Sequence, residues 1–168
     1  GKLNWLVRLT MPLFVPPLKK ADFKAAQNVD LYIANSNEIK TRIEKYYKKP
    51  AIVLNPPVDV SRFSPAPLAK RGNYYMAYSR QIPYKRIDLA ISAANELKIP
   101  LRVYGDGSEH SKLVEMAGPT IEFHPDNKDA VTDAFNHARG YIFPALEDFG
   151  IVQVEAMAAG APVISYGK

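Results

Sequence analysis

Two glutamates eight residues apart, Glu147 and Glu155, bracket a glycine in the stretch YIFPALEDFGIVQVEAMAAGAPVIS, residues 141–165. An ionised carboxylate accepts hydrogen bonds from two hydroxyls at once, which is the chemistry of holding a sugar or a ribose. The spacing does not put the pair on one helix face as a metal pair. It lets Glu147 reach a ligand from a loop and Glu155 reach it from the helix that follows. Solvation alone is a poor account of Glu155, because its neighbours Val154, Ala156, Met157 and Ala158 offer little polar surface. Gly150 lies where that helix opens, so bare backbone amides and the positive end of a helix dipole face the same loop. A second pair of chemically useful residues is Arg80 and Lys85. Arginine forks across phosphate oxygens, lysine adds a point charge, and an adjacent helix N-terminus adds its amides, a combination suited to a diphosphate. The competing reading is two solvated cations.

Two further loops carry polar residues. Tyr104-Gly105-Asp106-Gly107 supplies a G-x-G pattern after an apolar run, but His110 stands where a dinucleotide fingerprint would have its third glycine. An NAD site is therefore demoted, and tight turning is the simpler role for Gly105 and Gly107. His124-Pro125-Asp126-Asn127 follows another apolar run and can approach a ligand's base; His124 has no identifiable partner for acid or base work and reads as a turn residue.

The elements that position these loops alternate regularly from Tyr74 onward. Strands are expected over 75–78, 101–104, 121–123, 140–143 and 163–165, and helices over 86–97, 111–117, 128–138 and 151–159. The order strand, helix, strand implies an α/β fold, an open parallel sheet with helices on both faces, whose ligands sit beyond the carboxyl ends of the strands. All four loops follow strands. Upstream, 21–28 reads as a short helix and 30–34 as a strand. Asn35 or Ser36 caps a helix with Glu38 answering the cap and Ile39, Ile43, Tyr46 and Tyr47 on its inner stripe; 51–54 is a further strand. The proline-rich stretch after Asn55 places a boundary between about Asp59 and Asn73.

With 168 residues and 47% hydrophobic content the chain supports a real core. It has no cysteine, which excludes disulfides and thiolate metal sites and fits a reducing compartment; three scattered histidines do not make a zinc site. The net charge of +5 hides an asymmetry: residues 1–100 carry 17 Lys/Arg against 7 Asp/Glu, and residues 101–168 carry 5 against 10. The basic half can face phosphates or anionic lipid, or can be a solvated surface, which is the reading preferred for Lys45, Lys48 and Lys49. Residues 1–18 are apolar but interrupted by Arg8, Pro12, Pro16 and Pro17, so no membrane span and no signal peptide is read there. Trp5, Leu6 and Phe14 beside Lys19 and Lys20 allow an interfacial membrane contact; the alternative is a segment that packs on other protein. A first residue other than Met and an end just after a strand read as the termini of an excised piece.

The combined motifs Ser79-Arg80, Tyr84-Lys85-Arg86-Ile87-Asp88-Leu89-Ala90-Ile91, Tyr104-Gly105-Asp106-Gly107, Glu147-Asp148-Phe149-Gly150 and Glu155-Ala156-Met157-Ala158-Ala159-Gly160-Ala161-Pro162-Val163-Ile164 resemble the retaining glycosyltransferases of family four, the glycosyl transferases group 1. These have the GT-B fold, in which two Rossmann-like domains face a cleft. The strong match covers 74–167; Val29-Asp30 through Ser36 and Asn55-Pro56-Pro57-Val58-Asp59 resemble the end of the family's N-terminal domain and its crossover. The spelling P-Y-K-R-I-D-L-A is most similar to WbaZ-like mannosyltransferases of bacterial and archaeal surface polysaccharide assembly.

The resemblance implies a division into 1–59, the remnant of an N-terminal acceptor domain and crossover, 60–73, a linker, and 74–168, a nucleotide-sugar-binding Rossmann-like domain truncated before its last helices. It implies a nucleotide-diphosphate sugar as donor substrate, GDP-mannose favoured over a UDP-sugar, with no cofactor and no metal required. Arg80 and Lys85 match the pair that binds the donor diphosphate and stabilises the departing nucleotide. Glu155 matches the carboxylate on the ribose and Glu147 the one on the hexose. Phe149, Gly150 and Ile151 match the backbone that cradles sugar and phosphate, and Gly105 falls in a matched donor-site loop. Arg80, Lys85 and Glu147 are the implied catalytic set, with Glu147 not a covalent nucleophile because retention is attributed to same-face attack. The implied partners are the nucleotide sugar and a glycan or lipid-linked acceptor held by the missing domain, not nucleic acid, in the cytoplasm or at the inner face of a membrane. The sequence departs from the family at Pro125, where glycine is common, and lacks the glycine-rich loop of the N-terminal domain. These 168 residues are expected to bind nucleotide weakly and not to turn over. Two other classes stay open: a sugar-nucleotide epimerase of GT-B fold and a non-catalytic nucleotide-binding scaffold.

Overall fold

The computed structural model describes residues 5–167, which form two compact units divided between Pro56 and Pro57. In the first, a long helix α1 (Trp5–Gln27) precedes strand β1 (Tyr32–Ala34), helix α2 (Asn37–Tyr47) and strand β2 (Ala51–Val53). The strands pair in parallel with Tyr32 opposite Ala51. Ser36 is the cap, its side chain accepting from the Ile39 amide at 3.2 Å. Glu38 does not answer it. One residue short of the position that folds back on the cap, it pairs forward with Arg42 at 3.1 Å. Tyr46 is 62% exposed and leaves the inner stripe, whereas Tyr47 stacks on Tyr32 and donates to Asp22 at 3.1 Å. Lys49 reaches the Gln27 carbonyl at 3.1 Å, so one member of the lysine cluster caps α1 rather than facing only water.

α1 is longer than the expected helix over 21–28 and runs through Pro12, Pro16 and Pro17. Each ring removes a backbone donor, and local propensity does not explain a helix there. Trp5 and Leu6 have side chains outside the described residues; Phe14 is exposed, and no described helix is long and apolar enough to cross a membrane.

The second unit is an α/β domain whose five strands run parallel. They are β3 (Tyr75–Tyr78), β4 (Leu101–Tyr104), β5 (Ile121–His124), β6 (Gly140–Phe143) and β7 (Val163–Ser165), in the order β5-β4-β3-β6-β7. Four helices connect them: α3 (Ile87–Leu97), α4 (His110–Met116), α5 (Lys128–His137) and α6 (Ile151–Ala158). The chain starts in the middle of the sheet, builds outward through β4 and β5, then returns to the other side of β3 as β6. Right-handed crossovers in opposite directions must place the helices on opposite faces. Accordingly Ala77, Leu101 and Val103 bury against Ile87, Ile91, Ala94 and Leu113 on one face. Met76, Tyr104, Tyr141 and Phe143 bury against Val131, Phe135, Ala156 and Ala159 on the other. Successive residues of a strand thus serve alternate cores, as the period of two requires.

Residues 60–73, expected as a linker, are packed on this second unit. Phe63 is buried in the core with Phe135 and Tyr141. The Ser64 amide donates to Asn136 Oδ1 at 2.9 Å and the Ala66 amide to the Asn136 carbonyl at 3.0 Å. Arg71 donates to the carbonyls of Ala138 (2.7 Å) and Ala159 (3.1 Å), closing the ends of α5 and α6 together. Prolines and polar residues made this stretch look loose; its buried phenylalanine and one arginine fix it.

Asn127 caps α5, Oδ1 accepting from the amides of Asp129 (3.0 Å) and Ala130 (3.1 Å). Asn127→Ala is expected to lower stability by about 1 kcal/mol in urea unfolding. An unchanged midpoint would show that water replaces the cap without loss.

Candidate functional site

β3 and β6 are neighbours in the sheet, yet the chain leaves them in opposite directions. Such a switch point opens a crevice beyond the carboxyl ends of the two strands, because the loops that follow diverge to opposite faces. One of these loops carries Arg80 and Lys85, and the other carries Glu147, Phe149 and Gly150. Across the crevice Lys85 Nζ donates a charged hydrogen bond to Glu147 Oε2. The lysine side chain is only 12% exposed and the glutamate 29%, and the ammonium also lies 5.0 Å from the Tyr84 ring centroid and 5.4 Å from that of Phe143. Aromatic faces and one carboxylate therefore set the position of the cation.

Lys85 does not sit on the first turn of α3. It ends a 3-10 turn, Pro83–Lys85, and Arg86 follows in the left-handed region at φ 52° before α3 begins. Arg86 folds back on Asp88 at 3.1 Å, which keeps its charge away from the crevice. Arg80 is exposed at the crevice mouth.

Gly105 and Gly107 are held by close packing more than by turning. A Cβ on Gly105 would lie 2.2 Å from the Ser79 carbonyl oxygen, and one on Gly107 would lie 2.4 Å from that of Gln81. The loop after β4 is thus pressed against the loop after β3. Gln81, fully buried, locks the two: its side-chain amide donates to the Gly105 carbonyl at 2.6 Å, its own amide donates to the Asp106 carbonyl at 2.8 Å, and Oε1 lies 2.7 Å from His110 Nδ1. Because Oε1 can only accept, His110 Nδ1 carries the proton. Gln81 escaped the sequence reading because a lone polar residue between cations gives no burial signal. Gly105 contributes its backbone to this lock.

Gly150 opens α6 at φ 79° with no side-chain cap, so the first amides of α6 have no capping side chain at the crevice; Ile151 is exposed and Phe149 half-buried. Glu155 is one and a half turns on and half-buried, as its apolar neighbours required. It faces a cleft of about 380 Å³ lined by Arg62, Phe63, Tyr78, Asp126, Lys128, Thr132 and Phe135. Arg62 Nη1 lies 3.5 Å from Glu155 Oε1. The Tyr78 hydroxyl donates to Asp126 Oδ1 at 3.1 Å. Burial, reinforced by the charges of Asp126 and Glu155, holds the Tyr78 phenol above the usual tyrosine range.

Tyr141 is fully buried and donates to the Tyr78 carbonyl at 2.8 Å. Burial first, then the charge of Glu147, with Tyr78 and Glu155 adding, holds its phenol well above the usual range. The charges of both glutamates therefore reach one buried tyrosine. The structure joins Lys85 to Glu147 and sets Glu155 apart, with Arg62, Tyr78 and Thr132 as neighbours that spacing could not reveal. His124 ends β5 stacked on Tyr104 at 4.8 Å and pairs with Glu122 at 3.2 Å. Among the described residues, no three His, Asp or Glu side chains converge as a metal-ligand set.

The fold is shared with known proteins. The family described as "Glycosyl transferases group 1" matches residues 61–167. No curated protein sequence matches the chain. Among solved structures, a TarM variant of S. aureus in complex with Fondaparinux, alpha-GlcNAc-glycerol and UDP superposes with a TM-score of 0.73 at 19% identity, covering 88% of this chain and 32% of that one. The pneumococcal O-GlcNAc transferase GtfA in complex with UDP and GlcNAc gives 0.65 at 22%, covering 87% and 32%. WaaG, a glycosyltransferase involved in lipopolysaccharide biosynthesis, gives 0.67 at 21%, covering 79% and 43%. The chain spans about a third to two fifths of the length of these structures, and at such identities they share its fold. With the family match extending over most of its length, the chain belongs to the glycosyl transferases group 1 family.

Proposed function

We propose that this chain is the nucleotide-sugar donor-binding part of a retaining glycosyltransferase. The observation that carries the reading is the pairing of Lys85 with Glu147 over the β3/β6 switch point, beside the uncapped amides of α6. A donor diphosphate entering the crevice meets Lys85, Arg80 and those amides. The hexose lies against Glu147 and the backbone of Phe149, Gly150 and Ile151, and the ribose presents its vicinal diol to Glu155. Gly105 supports the phosphate loop from behind.

In the transfer, the bond from the anomeric carbon to the diphosphate breaks and the acceptor hydroxyl oxygen bonds to the same carbon on the same face. The acceptor's proton passes to the departing phosphate oxygen. Negative charge grows on the diphosphate as the bond lengthens, and fixed cations lower that barrier because they need no reorganisation. Glu147 orients the sugar and forms no covalent bond. Residues 1–59 supply the end of an acceptor domain, and a glycan or lipid-linked acceptor is held by the rest of that domain, at the cytoplasmic face of a membrane. The finer assignment is mannosyl transfer from GDP-mannose into a surface polysaccharide, on the strength of the P-Y-K-R-I-D-L-A spelling.

Isothermal titration with GDP, UDP, ADP, GDP-mannose, UDP-glucose and pyrophosphate tests this. The expected result is binding of at least one nucleoside diphosphate, GDP the tightest, and no sugar transfer by the 168 residues alone. Tighter UDP than GDP would replace mannose as the donor sugar. No binding of any nucleotide would sink the donor reading, and nucleotide binding that is blind to the sugar would favour the scaffold.

A further inference from the structure

We propose that Arg62 is a positioning residue for nucleotide recognition: it holds the Glu155 carboxylate turned so that one oxygen is reserved for a vicinal diol. The inference rests on the reading of Glu155 as the ribose acceptor.

Arg62 is the last residue of a 3-10 turn, Val60–Arg62, capped by Asp59, whose Oδ1 accepts from the Ser61 amide at 3.1 Å. The next residue, Phe63, is buried in the core, and the two amides at 64 and 66 are tied to Asn136. The backbone of Arg62 is therefore fixed on both sides. Its guanidinium is fixed as well: Nη2 donates to Thr132 Oγ1 at 3.0 Å, and Thr132 spends its own proton on the Lys128 carbonyl at 2.9 Å, leaving its oxygen to accept. Nη1 then lies 3.5 Å from Glu155 Oε1. A planar fork anchored on one neighbour has little freedom left in how it meets the other.

The side chain of Glu155 is 21% exposed, in a cleft wall shared with the phenol of Tyr78 and the carboxylate of Asp126. Lys128 is the other cation of the cleft wall, and it is exposed. Arg62 thus acts through Glu155 and need not touch the ligand.

The test is isothermal titration of the full chain with GDP and UDP against their 2′,3′-dideoxy counterparts. The wild type is expected to prefer the ribose forms by about tenfold, the scale of a charge-assisted hydrogen-bond pair. Arg62→Met is expected to collapse that preference to near one while leaving dideoxy binding unchanged, as is Glu155→Gln, and the double variant should add nothing further. Arg62→Lys, which keeps the charge but cannot fork between Thr132 and Glu155, should retain part of the preference; it decides the matter if Arg62→Met fails to fold by near-UV circular dichroism. Retention of the full preference in Arg62→Met, or equal weakening of both forms, overturns the proposal. Tighter ribose binding in that variant overturns it too, because Arg62 would then be blocking the site. A wild type that binds neither nucleotide nor pyrophosphate overturns the donor reading itself, an outcome distinct from a failure confined to Arg62.

Discussion

Replacing Lys85 with alanine is expected to weaken nucleoside diphosphate binding by about a hundredfold, the scale of truncating one partner of a partly buried charge pair. Two losses add in that variant. The diphosphate loses a cation whose position is set by Tyr84, Phe143 and Glu147 before any ligand arrives. The Glu147 carboxylate is also left facing the incoming anion without the lysine that neutralises it. Lys85→Ala combined with Glu147→Gln should recover part of the lost affinity for pyrophosphate, because the repulsion is removed, but none of the preference for a nucleotide sugar over the bare nucleotide. Arg80→Ala is expected to cost much less, about three- to tenfold, since an exposed cation is screened and hydrated before binding. Titration calorimetry at two salt concentrations measures both. Equal affinities of wild type and Lys85→Ala would remove the diphosphate from this crevice.

What was legible in the sequence follows from range. The parallel sheet and its helices in the second unit were readable because each depends on local periodicity and on turn residues a few positions away, and ends moved by only a residue or so: His110 rather than Ser111 opens α4, and β5 extends to His124. That the ligand loops would lie beyond the carboxyl ends of the strands was readable from the strand-helix alternation, but the strand order that makes β3 and β6 neighbours was not. The contacts that set the site were not readable. Arg62 meets Glu155 across 93 positions and Gln81 meets Gly105 across 24, and nothing in the residue types announces either pairing. The same holds for α1, where three prolines spoke against a helix, and for 60–73, where prolines hid the anchors Phe63 and Arg71. Composition reports what a segment prefers alone, and these segments are decided by what they pack on.

The largest effect on stability is expected at Gly105. Gly105→Ala should destabilise the second unit by about 3–5 kcal/mol, combining a strained backbone with an overlap that cannot relax cheaply. The residue sits at φ 101°, where a side chain is disfavoured, and its Cβ would fall 2.2 Å from the Ser79 carbonyl oxygen and 3.0 Å from the carbonyl carbon. Backbone has to give, and it is held: Gln81 donates to both Gly105 and Asp106, and the Glu109 amide donates back to the Gln81 carbonyl at 2.9 Å. Any movement that admits the methyl group displaces the loop bearing Arg80 and Lys85, so nucleotide affinity should fall with stability even though the substituted position need not touch the ligand. Gly167→Ala is the control, because a Cβ there meets nothing within 4 Å. Urea unfolding of the two variants separates the outcomes. If Gly105→Ala unfolds at the same midpoint as Gly167→Ala, the loops after β3 and β4 are not pressed together in solution, and the buried Gln81 cannot be what fixes the phosphate side of the crevice.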